Sequence, residues 1–278
     1  MRRDGPPVPA DLEAALYRLY REFFERAERK RRWSLADDVP WCQVNRAMDP
    51  AVADVVESFC AVELYLPDYV RNAMSVWRPS RACAWFYANW GYEESKHSLA
   101  LADWLLRSRA RTEEQMTDLE GRVLAFEWRV PHDSPVGMLA YAMVQELATG
   151  LSYRNLRQRI TGSSGDPALC KLLGLLGVDE QAHHSFFLKA VGLFLAHDRG
   201  GTLRQLRRVL HNFAMPAIYE LADGRRRVEA IKALQVFDDR MYFDQVYQPV
   251  LAALGVSRHE LRRAGSSPLP TSRWRRLR

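Results

Sequence analysis

The sequence predicts an all-α protein built as a bundle of long helices. No segment sustains the period-two alternation of a half-buried strand, whereas apolar residues recur at helical spacing through most of the chain. Helix start signals recur far enough apart for segments of about 25 residues, which span about 35 to 40 Å at 1.5 Å per residue. Glu-x-x-His occurs twice, in Glu94-Ser95-Lys96-His97 and Glu180-Gln181-Ala182-His183. Residues three apart share a helix face, so each copy aims one carboxylate and one imidazole at the same point.

Residues 9–30 read as an amphipathic helix on Leu12, Leu16, Leu19 and Phe23, ending in the basic run Arg29-Lys30-Arg31-Arg32. The pattern is lost from Trp33 to Met48, an extended connection interrupted by Pro40. Asp49-Pro50 supplies an N-cap and a first-turn proline for a helix to about Trp77, with Pro67 kinking it near Glu63. After Arg78-Pro79-Ser80 a helix over about 80–108 carries the first Glu-x-x-His, and Thr112 with Gln115 forms a capping-box pattern for a helix to about Trp128.

A long helix follows Pro131-His132-Asp133-Ser134-Pro135 and ends before Thr161-Gly162-Ser163-Ser164-Gly165. Asp166-Pro167 opens the helix with the second Glu-x-x-His, to about His197. Segments near 202–222, 226–253 and 257–263 complete a single domain over 1–263, with a core four-helix bundle over about 49–198. Residues 264–278, rich in Gly, Ser and Pro and then Arg, read as a basic, poorly ordered tail.

At 278 residues, 47% hydrophobic and 27% charged, the composition is that of an ordinary globular protein. Cys42, Cys60, Cys83 and Cys170 form no C-x-x-C pair, which argues against a disulfide framework or a zinc knuckle and fits a cytoplasmic protein. No apolar run reaches the roughly 18 residues of a membrane span, and no h-region follows the basic start. A net charge of +6 and a pI near 9.2 favour an acidic partner, and no nucleic-acid recognition motif accompanies them.

With 17 glutamates and 7 histidines, chance alone yields about 0.4 Glu-x-x-His pairs, so the doubled motif needs support from its context. Glu63 in Ala-Val-Glu-Leu-Tyr-Leu and Glu146 in Met-Val-Gln-Glu-Leu-Ala supply it, since a glutamate on an apolar helix face is costly to bury unless paired or metal-bound. The order Glu, Glu-x-x-His, Glu, Glu-x-x-His, one set per long helix, is that of a bundle holding two iron or manganese ions. Four carboxylates balance two divalent cations, and mixed oxygen and imidazole ligation suits redox-active iron. His184 lies about 100° off the line that joins Glu180 to His183, which favours His183.

These motifs resemble the soluble acyl-[acyl-carrier-protein] desaturases of plastids and actinobacteria, over about residues 33–219. Glu63-Leu64-Tyr65-Leu66-Pro67-Asp68-Tyr69 is similar to that family's first-ligand segment, Glu93-Glu94-Ser95-Lys96-His97 to its Glu-Glu-x-x-His, and Gln145-Glu146-Leu147-Ala148-Thr149 to its Gln-Glu-x-Ala-Thr. Asp179-Glu180-Gln181-Ala182-His183 resembles its Asp-Glu-x-x-His, and Phe213-Ala214-Met215-Pro216-Ala217 a downstream Met-Pro-Ala element. The chain departs in having Gln181 and Ala182 where the family often has basic residues, and in a shorter segment between Glu63 and the first Glu-x-x-His than plant members have.

The resemblance implies a ferritin-like four-helix bundle extended by additional helices, with Glu63, Glu94, His97, Glu146, Glu180 and His183 holding two Fe ions. It implies that Asp179 accepts a hydrogen bond from His97 and is braced by Trp33, with Glu93 as a further carboxylate behind the ligands. Thr149 stands one turn beyond Glu146, placed either for catalysis beside the metals or to bond its own i−4 carbonyl. Trp85 and Trp90 flank the first motif, as electron carriers or as core.

The implied reaction is O₂-dependent desaturation of an acyl chain on acyl carrier protein, with a ferredoxin-type electron donor and a homodimeric enzyme. The rivals are a related oxygenase that hydroxylates or N-oxygenates a carrier-bound intermediate, and a ferritin-like iron-binding protein. Arg29, Lys30, Arg31 and Arg32 are the expected docking site for the acidic carrier.

Overall fold

The computed structural model describes residues 8–129, 131–132, 134–161, 165–214, 218, 221 and 223–264. Among them no strand occurs. The Met215-Pro216-Ala217 element and residues 265–278 lie outside the described residues.

Helix α1 spans Ala10–Lys30, α2 Pro50–Glu63, α3 Leu66–Trp77, α4 Arg81–Arg107, α5 Glu113–Leu124, α6 Pro135–Thr161 and α7 Pro167–His197. The smaller α8 Arg199–His211, α9 Gly224–Ala233, α10 Asp239–Tyr242, α11 Gln248–Ala253 and α12 Arg258–Arg263 follow. Helix α6 packs along α7, α2 and α3 pack along α4, and α4 meets α7, so α2, α4, α6 and α7 form the bundle. Helix α1 lies across α4 and α7, and α8 covers α6.

The start signals act as read. Asp49, Ser80 and Asp166 accept from the backbone N–H groups of Ala51, Cys83 and Leu169, and Thr112 with Gln115 forms both bonds of a capping box. The interior of the bundle is apolar: Trp104, Phe86, Phe186, Phe187, Leu139 and Met143 are fully or almost fully buried. Gly91 lets α3 approach α4, because a Cβ there would stand 2.8 Å from Val70 Cγ2.

Four boundaries differ from the sequence-based expectation, each for a local reason. The helix over 49–77 is broken at Leu64–Tyr65 rather than kinked, because Pro67 has no N–H and its ring excludes the carbonyl of Glu63. The carbonyl of Val62 accepts instead from the Tyr69 hydroxyl at 2.9 Å. Helix α5 stops four residues before Trp128, whose N–H donates to Asp68 Oδ2 at 2.8 Å and whose carbonyl accepts from Asn72.

Helix α8 starts at Arg199 under an Asp198 cap and ends at His211, well before residue 222. The segment over 226–253 is interrupted at Gln235, with φ of 52°, a turn that buries Val236 and gives its carbonyl to Asn155 at 2.9 Å. A π-turn over Phe243–Tyr247 then precedes Pro249, relieving the clash a proline causes inside a helix.

No helix among the described residues is long and apolar enough to cross a membrane. All four cysteines are free, and burial pushes the thiols of Cys60 and Cys83 up to about 12 while Cys42 is exposed. A disulfide reagent at pH 8 is therefore expected to modify Cys42 rapidly in the folded protein and to reach Cys60 and Cys83 only on unfolding. Mass mapping of the labelled peptides checks this order.

Candidate metal centre

Glu63 ends α2, Glu94 and His97 lie mid-way along α4, Glu146 on α6, and Glu180 and His183 on α7. Four helices thus deliver six side chains to one place in the bundle. All six are buried, from 0% exposed for both histidines to 7% for Glu63. Their donor atoms fall into two groups, Glu63, Glu94, His97 and Glu180, and Glu94, Glu146, Glu180 and His183. Within each group the atoms lie within 4.8 Å of one another. Glu94 and Glu180 belong to both, so the six side chains could hold two ions, with these two carboxylates within reach of each.

The donor atoms suit metal ions better than they suit each other. His97 Nδ1 is 3.2 Å from Glu94 Oε2 and 3.3 Å from Glu180 Oε1. His183 Nδ1 is 2.9 Å from Glu94 Oε1 and 3.2 Å from Glu146 Oε2. Even so, Glu94 Oε1, His97 Nδ1 and Glu146 Oε1 are buried without a hydrogen bond. Buried polar atoms are rarely left so, and a bound cation satisfies all of them at once.

The charges in the metal-free cage show the same need. Burial, and then the neighbouring Glu94, pushes Glu63 up to about 8. Burial raises Glu180 well above the carboxylate range, helped by Glu146 and Glu94. Glu94 goes the other way, since His97 and His183 overcome the effect of its burial. The two imidazoles are raised despite burial, His97 chiefly by Glu94 and His183 by its hydrogen bonds to Glu146, Glu93 and Glu94. Without metal the cage holds protons in its place.

Behind each imidazole stands a carboxylate. His183 Nε2 is 2.7 Å from Glu93 Oε2, and His97 Nε2 is 3.5 Å from Asp179 Oδ2. A proton held on Nε2 leaves the Nδ1 lone pair facing the cage, so these partners select the tautomer a metal needs. Trp33 Nε1 donates to Asp179 Oδ2 at 2.7 Å, and Tyr153 donates to Glu63 Oε1 at 2.7 Å. Thr149 is buried one turn beyond Glu146. His184 turns away, with Nδ1 2.8 Å from the carbonyl of Met143. Trp90 is buried with its ring 6.4 Å from that of His183, whereas Trp85 is half exposed.

The basic run divides. Arg29 and Lys30 are exposed, but Arg31 enters the network, its side chain 9% exposed. Arg31 Nη1 donates to Glu93 Oε2 at 2.8 Å and to Asp179 Oδ1 at 2.5 Å, and Nη2 donates to Glu93 Oε1 at 2.9 Å. Arg32 pairs with Glu93 as well, and with Glu28 at 2.7 Å. Arg31 and Arg32 therefore neutralise buried carboxylates.

This role of Arg31 is not evident from its neighbours in sequence, although one signal points towards it. Two carboxylates, Glu93 and Asp179, precede the motif glutamates, and Lys96 is the one cation within either motif, so a second is called for from elsewhere. Tyr153 is similarly inconspicuous, seven residues beyond Glu146 on the same face of α6.

The sequence profile of the fatty acid desaturase family matches residues 48–263. The Mycobacterium tuberculosis protein designated acyl-[acyl-carrier-protein] desaturase DesA1 is 25% identical over 243 residues, 79% of this chain and 70% of that protein. The chloroplastic stearoyl-[acyl-carrier-protein] 9-desaturase 6 of Arabidopsis thaliana is 28% identical over 139 residues, 49% of this chain but 35% of its own length.

Among solved structures, DesA2 from Mycobacterium tuberculosis H37Rv aligns with a TM-score of 0.69 at 17% identity, covering 91% of this chain and 99% of DesA2. An R2-like ligand-binding oxidase with a Mn/Fe cofactor aligns with a TM-score of 0.59 at 15% identity, covering 90% and 97%. At these identities the structures speak to the fold, which is the ferritin-like all-α bundle extended by additional helices.

Replacing Arg31 by Met removes the link between Glu93 and Asp179 while keeping most of the side-chain volume. Anaerobic titration with Fe(II) or Co(II) is expected to show divalent-metal binding weakened by about 10- to 100-fold, as is usual when the groups that orient metal-bound imidazoles are lost. Retained far-ultraviolet circular dichroism separates this from unfolding.

Proposed function

Because the chain belongs to the fatty acid desaturase family, we propose that it is an O₂-dependent di-iron desaturase that introduces a double bond into an acyl chain carried on acyl carrier protein. The observation that carries this reading is the pair of donor groups sharing Glu94 and Glu180, with an apolar slot that ends on Glu146. The slot occupies about 370 Å³, its open mouth included, and is walled by Tyr69, Tyr87, Trp90, Trp128 and Tyr141.

An alkyl chain has no polar handle, so only the shape of such a wall holds it at one carbon–carbon bond and keeps water from it. The two ions, when bound, supply the activation of O₂ that removing two hydrogens requires. Iron as that metal, a ferredoxin-type donor for the two electrons, and a cytoplasmic location belong to the same proposal. The buried carboxylates and imidazoles described above support the metal, and the relatives named for carrier-bound substrates support the substrate class. On this reading Glu63, Glu94, His97, Glu146, Glu180 and His183 are the ligands, Glu93 and Asp179 orient the imidazoles, and Thr149, one turn beyond Glu146, serves catalysis beside the metals.

A homodimer is supported by the outer face of α4. Trp85, Tyr92 and Leu99 recur every seven residues there and are 50%, 56% and 58% exposed, an apolar stripe of the kind that helices bury against a copy of themselves.

Anaerobic Fe(II) reconstitution is expected to load close to two ions per chain, and single turnover with acyl carrier protein substrates to give products lighter by two hydrogens. A product heavier by one oxygen overturns desaturation in favour of oxygenation. Tyr92→Glu with Leu99→Glu is expected to shift size-exclusion elution from dimer to monomer mass with metal loading retained.

A further inference from the structure

The wall of the aromatic slot carries two hydrogen-bond donors that the chain itself does not use. Tyr87 and Trp90 line the slot at 3% and 4% exposure. The Tyr87 hydroxyl and Trp90 Nε1 are both buried without a hydrogen bond among the described residues. Buried donors are almost always paired, so two left over in one cavity call for an acceptor from outside the chain.

The neighbouring groups do not supply it. The Tyr69 hydroxyl, on the same wall, is taken by the carbonyl of Val62 at 2.9 Å. The Trp77 indole N–H beside the Tyr87 hydroxyl can only donate to its oxygen, which leaves the Tyr87 hydrogen unused. The amides of Asn72 and Gln145 line the slot as well, and neither bonds either donor. Glu146 at the end of the slot is an acceptor, but under the proposed function it serves the metal ions.

Occupancy of the slot makes the two donors decisive. Whatever fills it displaces water from both. A run of CH₂ groups leaves them desolvated and unpaired, whereas a chain with an oxygen at that level pairs them. Sites built on such donors discriminate steeply against the analogue that lacks the oxygen, because the cost falls on the protein's own buried groups.

The donors also set where that oxygen lies. Trp90 and Tyr87 stand four and seven residues before Glu94 on α4, about 6 and 10 Å along the axis at 1.5 Å per residue. The oxygen is thus several bonds away from the carbons beside the metal ions. It acts as a handle that fixes which carbons face the ions, and is not part of the bond that changes.

We propose that the acyl chain taken by the slot carries an oxygen acceptor along its length, a carbonyl or a hydroxyl, which receives hydrogen bonds from Trp90 Nε1 and the Tyr87 hydroxyl. This rests on the reading of the slot as an acyl-chain site and narrows the substrate class to oxygenated chains. The test compares S-decanoyl-pantetheine with its mono-oxo and monohydroxy isomers, the oxygen moved along the chain one carbon at a time, by calorimetry on the Fe(II)-loaded, anaerobic full chain. One position is expected to bind about tenfold more tightly than the unsubstituted chain, or better. Tyr87→Phe, which removes only the hydroxyl, and Trp90→Phe, which removes the indole N–H, are each expected to reduce that preference, and the two together to abolish it. Far-ultraviolet circular dichroism shows which variants are folded, and either single variant suffices.

The absence of a preferred position in the wild type, or a preference that survives both substitutions, overturns the proposal. So does an equal loss of the unsubstituted thioester in Tyr87→Phe, which would assign the donors to the thioester carbonyl. Turnover separates the site from the reaction. A preferred chain that binds but is not desaturated on any carrier removes the reaction and leaves the oxygenated-chain site. Desaturation of saturated and oxygenated chains alike, without a binding preference, removes the site and leaves the reaction.

Discussion

Four carboxylates and two imidazoles share a dry space in the middle of this bundle, and their mutual repulsion and desolvation constrain everything around them. An unpaired buried charge costs several kcal/mol, so the cage must take up either protons or cations. Protons only partly solve the problem, since Glu63 and Glu180 are driven upward while His97 and His183 are driven to hold charge. Two divalent ions cancel four carboxylates and occupy the unbonded atoms of Glu94, His97 and Glu146.

That requirement extends to helix α1, which lies outside the four-helix core. The carboxylates behind the histidines, Glu93 and Asp179, are themselves buried charges, and a single guanidinium, that of Arg31, ties them together across α4 and α7. Arg31 follows directly after α1, and Phe23 from the same helix packs 6.2 Å from the His183 ring. Trp33 completes the layer two residues later. Electrostatic compensation at the core thus explains why an additional helix is docked where it is, and why Arg31 at its end turns inward.

Two openings of different character are each lined in part by the buried Glu146. The slot is aromatic, and the groove between α6 and α7 is lined by glycine and edged by Arg154 and Arg157. Helix α6 passes close over α7 at Gly150, where a Cβ would stand 3.1 Å from Glu180 Cβ.

The helical class, most helix starts and the membership of the cage were legible in the chain. They depend on local periodicity, on short caps such as Asp49, Thr112 and Asp166, and on Glu-x-x-His spacing, which any helix converts into a shared face. Helix ends were less legible, because Val236 and Trp128 leave helical geometry for tertiary partners, Asn155 and Asp68. The partners behind the ligands divide in the same way: Asp179 and Glu93 sit next to their motifs, whereas Arg31 lies 148 residues from Asp179 and Tyr153 90 from Glu63. Local sequence determines which face a side chain occupies, but which distant charge meets it is decided only when the helices pack. Arg31 shows the difference: the chain displays one of four basic residues at a helix end, and only the packed bundle selects the one that enters the core.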